Sequence, residues 1–194
     1  GGSLGTAANL QWYTGSCGGT LVGSGASISV SPSSTTVYYL RAEGTCGNTS
    51  CMTTTINVNS LSIAPGSVSA SSNPVCAGNS TTLTANGGSL GTGATWEWFS
   101  GGCAGTPAGS GSSIVVSPSS STSYFVKAVG ICNTTACSGL MVNTNAASTA
   151  ASSINTTTTS LCSGGTATLS ANGGSLGTAA SWQWYTGSCG GTLV

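Results

Sequence analysis

The sequence holds almost no charge. Its 194 residues include two Lys or Arg and two Asp or Glu, namely Arg41, Lys127, Glu43 and Glu97, and no His. Without His or Asp there is no ordinary general base, and the two Glu occupy non-equivalent places in a repeated pattern, so no pair of carboxylates recurs. The abundant Ser and Thr have no base to activate them. An enzyme is therefore not expected, nor a cofactor. A net charge of zero offers no basic footprint for phosphates, which argues against nucleic acid and against electrostatic attachment to lipid. No apolar run nears the ~20 residues of a membrane span, so membrane insertion is not expected either. The Gly-rich GGSLGTG lacks the Lys and following helix of a phosphate loop and reads as a loop between strands.

What is present repeats. Residues 1–22, GGSLGTAANLQWYTGSCGGTLV, return at 87–108 as GGSLGTGATWEWFSGGCAGTPA and at 173–194 as GGSLGTAASWQWYTGSCGGTLV. The starts are 86 residues apart (87 − 1 and 173 − 87), which marks a tandem array of small domains cut mid-repeat at both ends of the window. Gly- and Ser-rich chains of low charge can be disordered. Disordered segments, however, lack the aromatic and β-branched runs that recur here at fixed positions.

Nine cysteines follow the same period. Cys17, Cys103 and Cys189 are one position, Cys46 and Cys132 a second, Cys51 and Cys137 a third, Cys76 and Cys162 a fourth. Four per repeat in small domains reads as a disulfide framework formed in an oxidising compartment. A four-thiolate zinc site is the competing reading, but a C-x4-C pair followed by gaps of 24 and 26 residues lacks the paired C-x2-C knuckles. No metal site is expected.

Within the middle repeat, residues 80–85 alternate about Leu83 as a strand. Residues 95–99 set Trp96 and Trp98 on one face and Glu97 and Phe99 on the other. Ile114 and Val116 match Ile28 and Val30 one period earlier, and Pro118 ends that strand. Tyr124, Val126 and Ala128 alternate with Phe125, Lys127 and Val129. Cys132 and Cys137 flank NTTA, a hairpin link, before a strand through Leu140 and Val142. No stretch has a helical period. The expected class is all-β, an antiparallel sandwich repeated at 86 residues.

A Leu-centred strand B (Leu83), a Trp-bearing strand C (Trp98) and a Y-x-V-x-A strand F (Tyr124, Val126, Ala128) resemble the immunoglobulin-like fold, without its mid-strand disulfide between B and F. The resemblance implies one complete domain over residues 61–145, the C-terminal part of another over 1–60 and the N-terminal part of a third over 146–194. It makes Trp12, Trp98, Trp184, Tyr38 and Tyr124 core residues. It places the start of B and end of C at one pole, which implies the bonds Cys76–Cys103 and Cys162–Cys189. At the other pole it implies Cys132–Cys137 and Cys46–Cys51, leaving Cys17 unpaired in the window. Outward on strands C and F, Glu97 and Lys127 are expected to form a cross-strand ion pair. Tyr13 beside Tyr39, Phe99 beside Phe125, and Tyr185 form a candidate contact surface. Four N-x-[ST] sequons, at Asn48, Asn79, Asn133 and Asn155, arise readily in so Asn- and Thr-rich a chain.

The repeated wording W-Y-x-G-S-C-G-G-T-L-V, S-P-S-S-T-T-x-Y-Y and G-T-C-G-N-T-x-C resembles the Ig-like arrays of very large surface proteins of Bacteroidota, such as gliding-motility adhesins of the SprB type. The resemblance spans essentially the whole chain. It implies type IX secretion, an extracellular location at the cell surface, and display as a long filament. A sorting signal for that route is expected outside the window. The expected function is a structural stalk whose partners are neighbouring repeats of the same chain, with surface polysaccharide or other filaments as further candidates. A carbohydrate-binding repeat and a homopolymeric extracellular fibre are the alternatives. The second is weakened because residues 173–194 duplicate 1–22, so a head-to-tail junction would hold strand C twice.

Overall fold

The computed structural model describes residues 3–194, so Gly1 and Gly2 of the opening repeat lie outside the described residues. All regular structure among the described residues is β. The chain divides into two compact units. The first runs from the start of the chain to Ser62 and takes in Leu90–Ala94 and Gly130–Asn133; the second holds Ile63–Ser89, Thr95–Val129 and Thr134–Val194.

The first unit is one antiparallel sheet. Its strands are β1 (Asn9–Thr14), β2 (Thr20–Ser24), β3 (Thr36–Gly44), β4 (Gly47–Asn48) and β5 (Met52–Ile56). β3 is central, with β1 on one side and β4 and β5 on the other, and β2 extends the sheet beyond β1. One face carries Trp12, Tyr38, Leu40 and Ile56. The indole N–H of Trp12 donates to the Gly25 carbonyl at 3.0 Å, which draws residues 26–30 alongside. An apolar hollow of about 260 Å³ remains on this face, lined by Trp12, Ile28, Val30, Tyr38, Thr54 and Ile56 among others.

In the second unit the strands are β6 (Ser67–Ala70), β7 (Val75–Cys76), β8 (Thr81–Asn86), β9 (Thr95–Ser100), β10 (Thr106–Ser110), β11 (Ser113–Val116), β12 (Thr122–Val129), β13 (Ser138–Val142) and β14 (Thr144–Asn145). Two sheets form, in the orders β10-β9-β12-β13 and β11-β8-β6. Strand alternation sends Trp96 and Trp98 of β9, Tyr124, Val126 and Ala128 of β12 and Val142 of β13 inward, where they meet Leu83 of β8 and Val116 of β11. Trp98, Leu83, Val126 and Val142 are fully buried, and each such side chain contributes about 1.5–3 kcal/mol through burial. The Trp98 indole donates to the Gly111 carbonyl at 2.8 Å, repeating the Trp12 bond. β7 closes the sandwich edge by pairing in parallel with β14.

β10 is a strand the sequence reading misses, because Pro107 lies inside it. Proline is tolerated there since β10 is an edge strand, and a bulge between Pro107 and Gly109 breaks its register. Gly109, at φ +150°, sits where a Cβ would come within 2.9 Å of Ile114. β6 is also missed, since its SVSA reads as linker composition.

Beyond β14 the second unit holds two further hairpins, β15 (Ser153–Thr156) with β16 (Leu169–Asn172), and β17 (Tyr185–Thr186) with β18 (Thr192–Leu193). These occupy the repeat positions of β6, β8, β9 and β10. Trp184 is half-buried there and Trp182 more exposed. Of the five expected core aromatics, Trp98, Tyr124 and Tyr38 are buried, whereas Trp12 and Trp184 are only half-buried. The reason is local: Trp12 faces the hollow that Leu83 of β8 fills beneath Trp98, and the segment around Trp184 forms only the short β17–β18 pairing.

Candidate functional site

The period of two also fixes what the long sheets present on their other face. In the first unit the register pairs Tyr13 with Tyr39, Gln11 with Arg41 and Asn9 with Glu43. In the second it pairs Phe99 with Phe125 and Glu97 with Lys127. The aromatic neighbours are those expected, but they do not form an open surface. Tyr13 is only 7 % exposed. The Arg41 guanidinium lies 5.1 Å from its ring centroid, and the Glu43 carboxylate accepts hydrogen bonds from the Tyr13 hydroxyl and from Arg41 Nε, the latter at 2.7 Å. Tyr39, Phe99 and Phe125 are half-buried, and Tyr185 is exposed.

The expected ion pair between Glu97 and Lys127 does not form although the two residues are directly opposed. Lys127 Nζ instead stands over the Phe99 ring at 4.6 Å from its centroid, where the ring quadrupole attracts a cation. The ion pair among the described residues is Arg41 with Glu43, two apart on one strand and so on one face. Period-two spacing in β3 is the signal that could have found it. Gln11, across from Arg41, keeps a buried Oε1 without a donor, because the guanidinium has turned to Glu43.

The Tyr13, Arg41 and Glu43 cluster shifts its own titration. Hydrogen bonding from Tyr13, then from Arg41, holds the Glu43 carboxyl below its ordinary value. The bond to Glu43 raises the Tyr13 phenol, with burial adding to it, and also raises Arg41. Tyr124, in the core of the second unit, is raised by burial.

Across this face runs a disulfide in each unit. Cys17 joins Cys51 and Cys103 joins Cys137, with Cα–Cα distances of 5.9 and 6.0 Å. In each case one cysteine lies in the turn after the Trp-bearing strand and the other just before the strand on the far side of the Tyr-bearing strand. The bond therefore crosses over β3 or β12. The turn leans inward far enough that a Cβ on Gly18 would meet the Arg41 guanidinium at 2.8 Å. Beneath the second strap Phe125 lies across β13, where Gly139 leaves room: a Cβ there would come within 2.6 Å of the Phe125 ring.

These bonds correct all four pairings the immunoglobulin-like frame implies, Cys76–Cys103, Cys162–Cys189, Cys132–Cys137 and Cys46–Cys51, and Cys17 is bonded rather than unpaired. Cys103 does not end a strand at the pole. It sits in the turn between β9 and the edge strand β10, and its bond to Cys137 crosses β12, while Cys76 lies in β7, paired with β14. The hairpin between β12 and β13 pairs Val129 with Thr134 and Ala128 with Thr135, which sets Cys137 at the strand entry and Cys132 in the turn. The same holds for Cys46 and Cys51, where Glu43 pairs with Asn48. Cys46, Cys76, Cys132, Cys162 and Cys189 are unbonded and exposed. No spacing in the sequence distinguishes the bonded pair from the others, since every cysteine position repeats at the same period.

Of the sequons, Asn133 is engaged: its Oδ1 accepts from the Ser62 amide at 2.9 Å and its Nδ2 donates to the Ser62 carbonyl at 3.0 Å. Among the described residues no three His, Cys, Asp or Glu side chains gather into a metal-holding group, and no helix is long and apolar enough to cross a membrane.

An antiparallel sandwich of three- and four-stranded sheets, with a Trp on the third strand position, a Tyr opening a later strand, and the same strapped sheet built twice, defines an immunoglobulin-like repeat. The family model "Ig-like domain CHU_C associated" matches residues 3–60 and again 64–146, and the chain belongs to that family. No curated protein matches the chain. The family and the two disulfides are consistent with an extracellular protein.

Proposed function

We propose that the chain is a stretch of stalk: a structural repeat region of a long, extracellular surface adhesin of the Bacteroidota type, whose domains hold another part of the protein away from the cell. The observation that carries this reading is the repetition of one strapped sheet at an 86-residue spacing, while the titratable cluster of the first sheet is not repeated in the second. Tyr13, Arg41 and Glu43 of the first sheet correspond to Phe99, Lys127 and Val129 of the second. Packing is kept between them while the chemistry changes. A sugar-binding face would need exposed aromatic rings at matching positions, whereas Tyr13 is buried and Lys127 covers Phe99, which favours the stalk over a carbohydrate-binding repeat. A role in gliding motility, and export by the type IX route, belong to the same proposal.

The reading is tested on the producing cell with antibodies raised against the chain, by immunogold labelling together with the size of the intact polypeptide on a reducing gel. Label along filaments projecting from the surface, on a polypeptide many repeats long, is expected. Label confined to the cytoplasm would overturn it.

A further inference from the structure

Four of the five unbonded cysteines fall into two repeat positions, Cys46 with Cys132 and Cys76 with Cys162. The structure shows what each position touches. Cys132 follows the end of β12, in the turn beside the point where the chain enters the complete sandwich, and its Sγ lies 3.6 Å from the carbonyl oxygen of Asn59. Cys76 lies where the chain leaves. It is the backbone partner of Asn145 in the parallel pair of β7 with β14, and the following amide, of Ala77, donates to the Asn145 carbonyl at 3.0 Å. Asn59 and Asn145 are themselves one repeat position, 86 residues apart (145 − 59).

Within one repeat the two cysteines cannot meet. Cys76 lies beyond the start of β12 and Cys132 beyond its end, and eight strand residues span about 26 Å, against the ~4.4–6.8 Å between Cα atoms that a disulfide needs. Across a junction the geometry is reversed. The Cys76 position reaches the linker asparagine from the repeat before it, and the Cys132 position reaches the same asparagine from the repeat after it.

We propose that the Cys76 position of one repeat and the Cys132 position of the next form a disulfide across the linker, so that consecutive Ig-like domains are riveted as well as strapped. The inference rests on the stalk reading and names its partner, the following copy of the same repeat. By the period, a following repeat carries the partner of Cys76 at position 218 (132 + 86). The bond forms by thiol–disulfide exchange. One thiolate attacks the disulfide of an oxidoreductase of the secretory compartment, and the second thiolate then displaces it. One S–S bond is made and the oxidoreductase's own S–S bond is broken, and the oxidant leaves as a dithiol carrying the two protons given up by the chain's thiols.

The test uses the full chain extended at its C-terminus by a copy of residues 109–145, which continues the period and supplies cysteines at positions 218 and 223. After oxidative export, peptide mapping without reductant should recover Cys76 joined to position 218. In the Cys76→Ser variant the cysteine at 218 should become open to alkylation. The Cys103–Cys137 bond and its copy, Cys189 to position 223, report that the domains have folded. If both form while Cys76 stays alkylatable, or if Cys76 is found joined to Cys132 of its own repeat, the rivet is overturned. The stalk reading fails separately, by the location of the protein on the cell.

Discussion

The sheet of residues 9–56 and the sheet of residues 95–142 are the same piece of sequence one period apart, yet one is open and the other closed. Both hold the indole bond, the strap and a buried tyrosine, Tyr38 or Tyr124. They differ in what lies against the inner face. β8 and β6 cover the second sheet, so Trp98 and Val142 are fully buried; their counterparts Trp12 and Ile56 border a hollow, and Ile56 is 37 % exposed. The four- or five-stranded sheet and its disulfide are thus specified by local sequence, while the core of the second unit is completed by β6 and β8, which precede that sheet, together with β11.

The largest way to break this comparison is to remove the indole from each sheet. Trp98→Ala should cost about 3–5 kcal/mol, and Trp12→Ala clearly less, read from far-UV circular dichroism during denaturation. Equal losses would mean that the first sheet is covered as well as the second. Next, Cys103→Ser should cost roughly 3–4 kcal/mol by the entropy of a loop with a separation of 34 residues, and Cys17→Ser a similar amount since its loop has the same separation. A much larger loss for Cys17→Ser would show that the open sheet depends on its strap more than loop entropy allows.

The smallest effect concerns pH. Glu43 is held below the ordinary carboxylate value of 4.5, so its contribution is present above that value and is lost as pH falls through the lowered one. Tyr13 is raised above 10.0, so its contribution is full below that value and is lost as pH rises through the raised one. Glu43→Gln should flatten the acid side of the first sheet's stability profile and lower the pH at which the Tyr13 phenolate appears in ultraviolet titration. No change in either would remove the cluster from the account.

Much of this was legible in the residues. Alternation in TWEWF and SYFVKAV, read at a period of two, gives the strands, the inward face and the pairing of Phe99 with Phe125. The strand through Pro107 was hidden because proline usually ends strands, and only its place on the sheet edge makes it harmless. That hidden strand also bears on the disulfides, Cys17–Cys51 and Cys103–Cys137. Without β10, Cys103 looks like a residue that ends its strand at a pole; with β10 it belongs to a tight hairpin turn, and that turn meets Cys137 across β12. The partner of Lys127 was missed for a different reason: register brings Glu97 close, but the adjacent ring of Phe99 offers the ammonium a place that the sequence does not rank against a carboxylate.

The strap has a mechanical meaning for any chain pulled from its ends. A bond between Cys103 and Cys137 withholds the 34-residue separation between them from extension. At about 3.4 Å per residue, roughly 115 Å of each repeat stays folded in on itself even after its sheets have given way. An array of such repeats would yield under tension in short steps and recoil from a shorter length, as a tether with a built-in stop.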